Sequence, residues 1–405
     1  MQIAIIGGGA SGMITAYLLE KQGHQVTVFE KQSILGGHIR TLNQNVKPNH
    51  SDSNLILECG VLEFPVVFHN FINLMQELGI ELEPVNTGSG LFLQDGSHFL
   101  SGGMIKKNYQ GWQRFLEYIR LDTLYARSAG LLAKIKFGQE SAFHHHPMSD
   151  YLQGQCIRNC WLKLLLMYSY SMSFDLIDQF PAALGIPIVR DYVFVDWLRI
   201  KGGVYSYIKK IQENLRGKIF LNAEIVGISR QDNTVTLHLS PGVEKQFNHL
   251  VFATPPDQIL TLLSDPTEAE IKRFSLWKKN QATTIIHHDH SIYQRYGIAK
   301  FSEFDFFQTD KGWGYNAYLN QICAISSSDK YSLAFDLETL IAKDKIVHIQ
   351  EHHTPLYTVN AFEFVDAIIK TNGENNTYYA GAYLADGLHE GAVTSALRVA
   401  QLIGH

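Results

Sequence analysis

The 405-residue sequence predicts an α/β fold in which a parallel sheet carries an inserted unit of helices and antiparallel strands. Three observations predict it. The chain opens with an apolar strand, a glycine-rich turn and a helix, and strand and helix signals return at its carboxyl end. Between them lie a mostly helical stretch, residues 109–184, and a β-rich region, residues 283–336. Both ends of the chain are therefore expected to form one domain, which the two insertions interrupt in the sequence.

The amino-terminal segment has the pattern of a dinucleotide-binding turn. Strand Gln2–Ile6 runs into a G-x-G-x-x-G sequence at residues 7–12, and a helix follows to residue 21. Gly7 is expected to form the tight turn, Gly9 to let the backbone approach a pyrophosphate, and Gly12 to let helix and strand pack closely. The amino terminus of the helix then offers N–H groups and a positive dipole end to the phosphates.

A second strand, residues 25–29, ends at Glu30. This carboxylate lies about 20 residues past the glycines, where it can hydrogen-bond a ribose hydroxyl. A glycine turn alone is a weak signal, but this one has its strand, helix, second strand and terminal acid in order. The sequence therefore predicts a Rossmann-type dinucleotide-binding domain.

Composition and charge exclude several other classes. The net charge of −5 argues against a nucleic-acid partner, which requires a concentrated basic face. Four cysteines without a C-x-x-C pair favour a reduced, cytoplasmic setting. No signal peptide is expected, because the first strand begins at residue 2. No window approaches the ~18 apolar residues of a transmembrane helix, which leaves peripheral membrane contact open.

Five further motifs follow the glycine turn. They are Gly36-Gly37-His38 with Arg40, Cys59-Gly60-Val61-Leu62, Ala223-Glu224-Ile225-Val226, residues 250–255 (L-V-F-A-T-P) and residues 379–393. Together they resemble the motifs of the flavin-containing amine oxidase, phytoene desaturase and protoporphyrinogen oxidase superfamily. Within it, the chain is most similar to a bacterial subgroup of predicted FAD-binding oxidoreductases with a G-G-H and H-E signature. The resemblance runs from residue 2 to residue 393.

The resemblance implies FAD as the cofactor. It places Gly60–Leu62 along the isoalloxazine ring, Val226 at the adenine, and the N–H groups of Ala392 and Val393 beside the flavin N1/O2 edge. Either His38 or Arg40 replaces the arginine of the superfamily's phosphate region. The predicted cofactor-binding residues are Gly7, Gly9, Ala10, Ser11, Gly12, Glu30, Lys31, Gly37, His38, Arg40, Gly60, Val61, Leu62, Val226, Ala253, Gly381, Glu390, Ala392 and Val393.

The substrate pocket departs from the amine oxidase pattern. Leu388 occupies the position of an aromatic side chain that faces the flavin in amine oxidases, and an aliphatic wall cannot attract an amine as an aromatic ring does. A small, less polar substrate, with a lipid-like one among the candidates, is therefore favoured. Glu63 is an acid/base candidate, although a structural ion pair is the simpler interpretation. His389 either reaches the flavin or positions Glu390. No lysine matches the one that holds a water at flavin N5 in those enzymes, and the catalytic residues are not identified.

Three histidine runs have metal-ligand residue types: residues 144–146, residues 287–290 and residues 352–353. Adjacent histidines on one element point apart, and no cysteine or carboxylate stands at ligand spacing, so we expect no metal site. The Leu/Tyr/Phe-rich stretch from 115 to 170 is expected to be core, with an apolar substrate tunnel as the alternative.

We therefore predict an FAD-binding domain from residues 1–85, 200–260 and 355–405, and an α+β substrate domain from 86–199 and 261–354. The expected function is an FAD-dependent oxidoreductase that moves a hydride from a substrate C–H or C–N bond to flavin N5. Two alternatives stay open. One is an isomerase that moves a double bond along an acyl or isoprenoid chain, and the other is a redox-silent FAD-binding partner protein.

Overall fold

The computed structural model describes residues 1–49, 54–136, 143–154, 156–192 and 194–404, with backbone alone for 134–136. The strands of these residues are β1 (Gln2–Ile6), β2 (Gln25–Phe29), β3 (Phe64–Pro65), β4 (Leu82–Val85), β5 (Ser89–Phe92), β6 (His98–Phe99), β7 (Trp197–Ile200), β8 (Lys218–Phe220), β9 (Ile225–Gln231), β10 (Thr234–Leu239), β11 (Val243–Phe247), β12 (His249–Phe252), β13 (Lys278–His287), β14 (Phe304–Thr309), β15 (Gly312–Tyr318), β16 (Ser332–Phe335), β17 (Ile346–Leu356) and β18 (Thr377–Tyr379). The helices are α1 (Ala10–Lys21), α2 (His69–Leu78), α3 (Gly102–Asn108), α4 (Gly111–Lys136), α5 (Ile157–Tyr170), α6 (Ala182–Asp191), α7 (Tyr205–Asn214), α8 (Ile259–Leu262), α9 (Glu268–Phe274), α10 (Leu319–Ile322), α11 (Val359–Phe362), α12 (Val365–Lys370) and α13 (His389–Gly404).

A five-stranded sheet in the order β18-β12-β1-β2-β8 organises the fold, and all of its pairs are parallel. In β1, Ile5 is paired with Val28 of β2 on one side and with Val251 of β12 on the other. Ile3 to Ile6 are all buried, as expected for a strand covered on both faces. The predicted α/β class with a Rossmann-type sheet is confirmed.

Successive residues of β1 point into two different cores. Ile3 and Ile5 pack with apolar residues of α1, α2, α7 and α13. Ala4 and Ile6 face the other way, into a core that also contains Val235 of the antiparallel sheet β11-β10-β9. The period-2 alternation of a strand produces these layers of helices, parallel sheet and antiparallel sheet.

The second large sheet has the order β17-β13-β16-β15-β14-β5-β6 and is antiparallel apart from the β14–β5 pair. Helices α3 to α6 belong to the same part of the chain, and a small sheet, β3-β7-β4, joins segments 64–85 and 197–200. This α+β unit corresponds to the predicted insertions.

The exact domain boundaries stay a prediction. Helix α9 falls in the segment assigned to the substrate domain, and its Glu270 binds Arg230 of β9 and Tyr379 of β18. Within the β-rich region 283–336, strand β15 ends at Tyr318, and the short helix α10 follows.

Among the described residues, no helix is both long and apolar enough to cross a bilayer. None of the four cysteines, all of which are described, forms a disulfide. No cluster of three or more His, Cys, Asp or Glu side chains suited to a metal ion is found in the same part of the chain.

A buried ion pair fastens α9 to the parallel sheet. The Arg230 guanidinium donates to both carboxylate oxygens of Glu270, at 2.5 and 2.9 Å, and to Asp265 Oδ1 at 3.1 Å. The Tyr379 hydroxyl donates to the same carboxylate. Burial alone would raise the pKa of Glu270, but the hydrogen bonds from Arg230 and Thr267 lower it to about 2. The pair therefore stabilises the fold while Glu270 is ionised.

We expect Arg230→Met to lower the free energy of unfolding by about 3 kcal/mol, because Glu270 would remain buried without its cation. Since the pKa of Glu270 is depressed in the folded protein, the loss should be complete above the ordinary pKa of 4.5 and shrink as the pH falls towards 2. Urea unfolding at several pH values measures it. The control is Arg273→Met, which removes a longer pair with the exposed carboxylate of Glu374 and should cost less than about 1 kcal/mol. Equal losses in both variants would contradict the assignment.

Candidate active site

One cavity of about 560 Å³ joins the glycine-rich edge of the parallel sheet to the substrate unit. The chain brings most of the predicted residues to its wall, although they come from five separate segments. The predicted residues that line it are Gly7, Gly9, Ala10, Ser11, Glu30, Lys31, Gly37, His38, Arg40, Gly60, Val61, Leu62, Glu63, Ala253, Gly381, Leu388, His389 and Ala392.

Two glycine segments leave bare backbone on the cavity wall. Gly7 has a φ of +109°, and a Cβ there would lie 2.5 Å from the carbonyl oxygen of Ala253. Gly9 and Gly37 face each other so closely that a Cβ on Gly37 would lie 2.9 Å from the Gly9 Cα. A Cβ on Gly9 would meet nothing closer than 3.5 Å, so the space beside it is open to a ligand. This is the arrangement that a pyrophosphate requires.

Glu30 connects these loops from its buried position at the end of β2. Its Oε2 accepts the Gly8 N–H at 2.7 Å, and its Oε1 accepts the Gln32 N–H at 2.8 Å. Each carboxylate oxygen can accept a further hydrogen bond. The predicted contact with a ribose hydroxyl is therefore compatible with these bonds, and it stays a prediction.

The structure distinguishes the two candidates for the phosphate-region cation. The His38 Nε2–H donates to the carbonyl oxygen of His353 at 2.5 Å, and burial lowers the pKa of its ring, so His38 is a neutral donor. Arg40 is buried at 4% exposure, and its described hydrogen bonds go to neutral oxygens of Ile39 and Gln32. Burial lowers the pKa of Arg40 as well, but a guanidinium stays charged at neutral pH. Arg40 is therefore the cation available to an anionic ligand.

Sequence reasoning missed the end of β17 as part of the site. His352 and His353 both line the cavity. The Thr284 hydroxyl donates to the carbonyl oxygen of Cys59 at 2.6 Å, and His352 Nε2 lies 3.0 Å from the same oxygen. Burial lowers the pKa of His352 to about 3. The sequence signal for this part of the site is the histidine pair itself, which the sequence pattern suggested only as a pair of metal ligands.

The amino terminus of α13 points at the opposite end of the cavity. The Asp386 carboxylate accepts the N–H groups of Leu388 and Gly391, each at 2.8 Å, and the Ala392 N–H donates to the carbonyl oxygen of Leu388 at 3.1 Å. The N–H groups of Gly391 and Ala392 are thus already hydrogen-bonded within the protein. The positive dipole end of the helix, rather than a free Ala392 N–H, is what it presents to the cavity.

His389 contacts aromatic residues at the cavity wall. Its ring lies in the cavity wall, 5.1 Å from the Phe64 ring and 5.6 Å from the Phe71 ring. Its Nε2 is 3.0 Å from the Tyr207 hydroxyl, and no described hydrogen bond joins it to Glu390. Burial lowers the pKa of His389 to about 3, so the ring is neutral at physiological pH.

Four predicted cofactor residues lie outside the cavity wall. The Glu390 carboxylate accepts the N–H groups of Asn70 and Phe71 at 2.9 Å and so caps α2, which has no side-chain cap of its own. Val393 is buried between α13 and the sheet, and Gly12 sits against the carbonyl oxygen of Gly7 to allow helix packing, as predicted.

Val226 is the fourth residue, and the resemblance implies that its backbone, not its side chain, holds the adenine. Its side chain is 63% exposed on the outer surface, whereas the preceding residue, Ile225, lines the cavity. Consecutive residues of a strand face opposite sides, so the side chain points away from the cavity and the backbone contact stays a prediction.

The end of the cavity near α13 is a chamber of phenol rings with one carboxyl. Glu63 is 8% exposed, and its Oε1 accepts the Tyr168 hydroxyl at 3.1 Å, which replaces the expected ion pair. Burial raises the pKa of Glu63 to about 7. Gly387 has a φ of +77° and lies so close to Tyr170 and Tyr357 that a Cβ would contact both rings. The tyrosines of the chamber wall are Tyr168, Tyr170, Tyr315, Tyr357 and Tyr383.

Comparison with known proteins identifies the family. The model of the flavin containing amine oxidoreductase family matches residues 10–286, more than half of the chain. The chain belongs to this family. The flavin-dependent L-tryptophan oxidase RebO of Lentzea aerocolonigenes is 26% identical over 289 residues, which cover 64% of this chain and 59% of that protein.

Solved structures share the fold at low identity. Cyclohexylamine oxidase from Brevibacterium oxydans IH-35A superimposes with a TM-score of 0.71 at 14% identity, covering 100% of this chain and 98% of that chain. A CLA-producing fatty acid isomerase from P. acnes gives a TM-score of 0.71 at 16% identity, covering 99% and 97% of the two chains. The match to the tryptophan oxidase spans 59% of the length of that protein.

The cofactor of this flavin-containing family member is FAD, and the cavity fits it. The glycine backbones and Arg40 suit a pyrophosphate, and the tyrosine chamber at the far end suits a flat ring system. Three buried polar atoms of the wall have no hydrogen-bond partner among the described residues: Thr254 Oγ1, Glu63 Oε2 and Tyr383 Oη. Buried polar groups are normally hydrogen-bonded, so their partners are expected from bound molecules.

Gly9→Val should fold but lose FAD, because its side chain would occupy the space beside Gly37 that is predicted to hold the phosphates. Gly12→Val serves as the contrast, since its Cβ would collide with the carbonyl oxygen of Gly7 and should prevent folding. FAD per polypeptide and circular dichroism measure the two effects. Stoichiometric FAD in folded Gly9→Val protein would refute the assignment of this loop.

Glu390→Ala should retain FAD and lower the free energy of unfolding by about 1–2 kcal/mol, the usual cost of removing a helix cap. Thermal unfolding together with the visible flavin spectrum separates stability from cofactor binding. Glu390→Gln keeps an acceptor oxygen and should recover part of the loss. Release of FAD from stable Glu390→Ala protein would instead return Glu390 to the cofactor site.

Proposed function

We propose that this chain is an FAD-dependent oxidoreductase that takes a hydride from a C–H or C–N bond of a small substrate with a largely apolar body. The observation that carries the proposal is the continuity of the cavity. Its dinucleotide half, with the glycine loops and Arg40, opens directly into the chamber of tyrosines beside Leu388. A molecule in the chamber would thus contact the reactive end of a bound dinucleotide.

When bound, FAD supplies the oxidant that accepts the hydride at N5. The protein residues supply binding, orientation and exclusion of water. Gly9, Gly37 and Arg40 would bind the phosphates, and Glu30 would orient the adjoining ribose. The amino terminus of α13 would stabilise negative charge at the chamber end of the cavity.

The chamber residues favour a substrate without a strong charge. Leu388 and the rings of Tyr170 and Tyr357 give the wall an apolar surface that can enclose a hydrocarbon body. Glu63, with a pKa raised to about 7 by burial, is close to half protonated at neutral pH and can hold or release a proton. His389 is neutral and adds no charge. A lipid-like body is therefore part of this proposal.

Anaerobic titration of the purified holoprotein tests the proposal. Amines, acyl compounds and isoprenoids are added in turn, and we expect at least one apolar compound to bleach the visible flavin spectrum, with colour returning when an electron acceptor is added. Free FAD mixed with the same compounds is the control for bleaching that does not involve the protein. Conversion to a product of equal mass without an acceptor would favour the isomerase. An unchanged spectrum with every compound would favour the redox-silent protein.

A further inference from the structure

Helix α4 has apolar side chains on two opposite faces of its first half. One face is buried against the rest of the protein through Leu121 and Leu124. The other face carries four large apolar residues in contact with solvent. Their exposed fractions are 71% for Trp112, 50% for Phe115, 44% for Leu116 and 47% for Ile119.

The spacing of these four residues places them on one stripe of the helix. Positions i, i+3, i+4 and i+7 share a face, and the rings of Trp112 and Phe115 lie 5.0 Å apart. Single exposed apolar residues are ordinary, but a contiguous group on one element marks an interaction surface. Three of the four residues, Phe115, Leu116 and Ile119, lie in the stretch 115–170, for which the sequence left an apolar substrate tunnel open. The residues of the stripe lie on the outside of the molecule, away from the cavity wall.

Basic side chains border the stripe on one side, and the exposed Asp122 lies on the other. Residues 106–136 contain seven lysines and arginines and two carboxylates, within a chain whose net charge is −5. Lys106 and Lys107 are exposed at the end of α3, immediately before α4. On α4 itself, the helical angles of Arg120 and Arg127 place them beside the stripe, and both are exposed. One of the two carboxylates, Glu117, is already paired with Arg120 at 3.0 Å.

We propose that the stripe Trp112, Phe115, Leu116 and Ile119 docks the protein on an anionic lipid membrane. A helix that lies in a membrane surface has an apolar face with tryptophan, phenylalanine and leucine, bordered by lysine and arginine. The apolar residues insert among the acyl chains, and the basic residues meet the anionic headgroups. This surface does not depend on the flavin chemistry of the cavity.

The charges favour a membrane over a second copy of the chain. In a two-fold dimer the same patch meets itself, so the arginines and lysines beside one stripe would face those beside the other. Like charges brought together in this way oppose association. An anionic lipid surface presents the opposite charge to these basic residues.

Sedimentation of the holoprotein with vesicles tests the docking surface. We expect binding to vesicles of phosphatidylglycerol and phosphatidylcholine, and weak binding to phosphatidylcholine alone. Trp112→Ser/Phe115→Ser should reduce the partition coefficient on the anionic vesicles at least about tenfold, because two inserted aromatic side chains are lost. The matched control, Leu340→Ser/Leu402→Ser, removes two exposed leucines elsewhere and should bind like the unaltered protein.

The flavin spectrum and light scattering accompany each measurement. Full FAD content in the Trp112→Ser/Phe115→Ser protein excludes misfolding as the cause of lost binding. No binding to anionic vesicles, or equal binding by this variant and the unaltered protein, would overturn the proposal. A dimer in solution that the same substitutions convert to a monomer, without vesicle binding, would assign the stripe to a second copy instead.

Discussion

The close approach of bare backbone at the edge of the parallel sheet is the constraint on which the site depends. Gly7 fits beside the carbonyl group of Ala253 because it has no side chain and accepts a φ of +109°. That close approach lets β1 lie next to β12 where both strands end. Gly9 and Gly37 also lie against each other because neither has a side chain, so the cavity begins where side chains are missing.

Local patterns were sufficient to predict the nucleotide-binding half of the molecule. The sequence pattern predicted strands at Gln2–Ile6 and at residues 25–29, and the structure confirms the bounds of both. Glycine spacing likewise located the loops on the cavity wall. These features can be predicted from the sequence because each depends on residues a few positions apart in the chain.

The substrate half depends on contacts that a linear pattern does not contain. Strand β17 carries His, Gln, Glu and Thr, which resemble a surface loop until ten residues of β13 pair with it. Glu390 was assigned to the cofactor because of its motif, yet the uncapped α2, more than 300 residues away, binds its carboxylate. The side chain of Val226 is exposed, so only its backbone is placed for the contact with the adenine that the resemblance implies.

Strand β17 also links two functions that could otherwise change separately. Its central residues form the edge of the seven-stranded sheet, while His352 and His353 at its end contact the loops of Cys59 and His38. A substitution that shifts this edge strand to admit a bulkier molecule would also displace the wall around the prosthetic group. Changes of specificity are therefore expected to leave this edge strand in place.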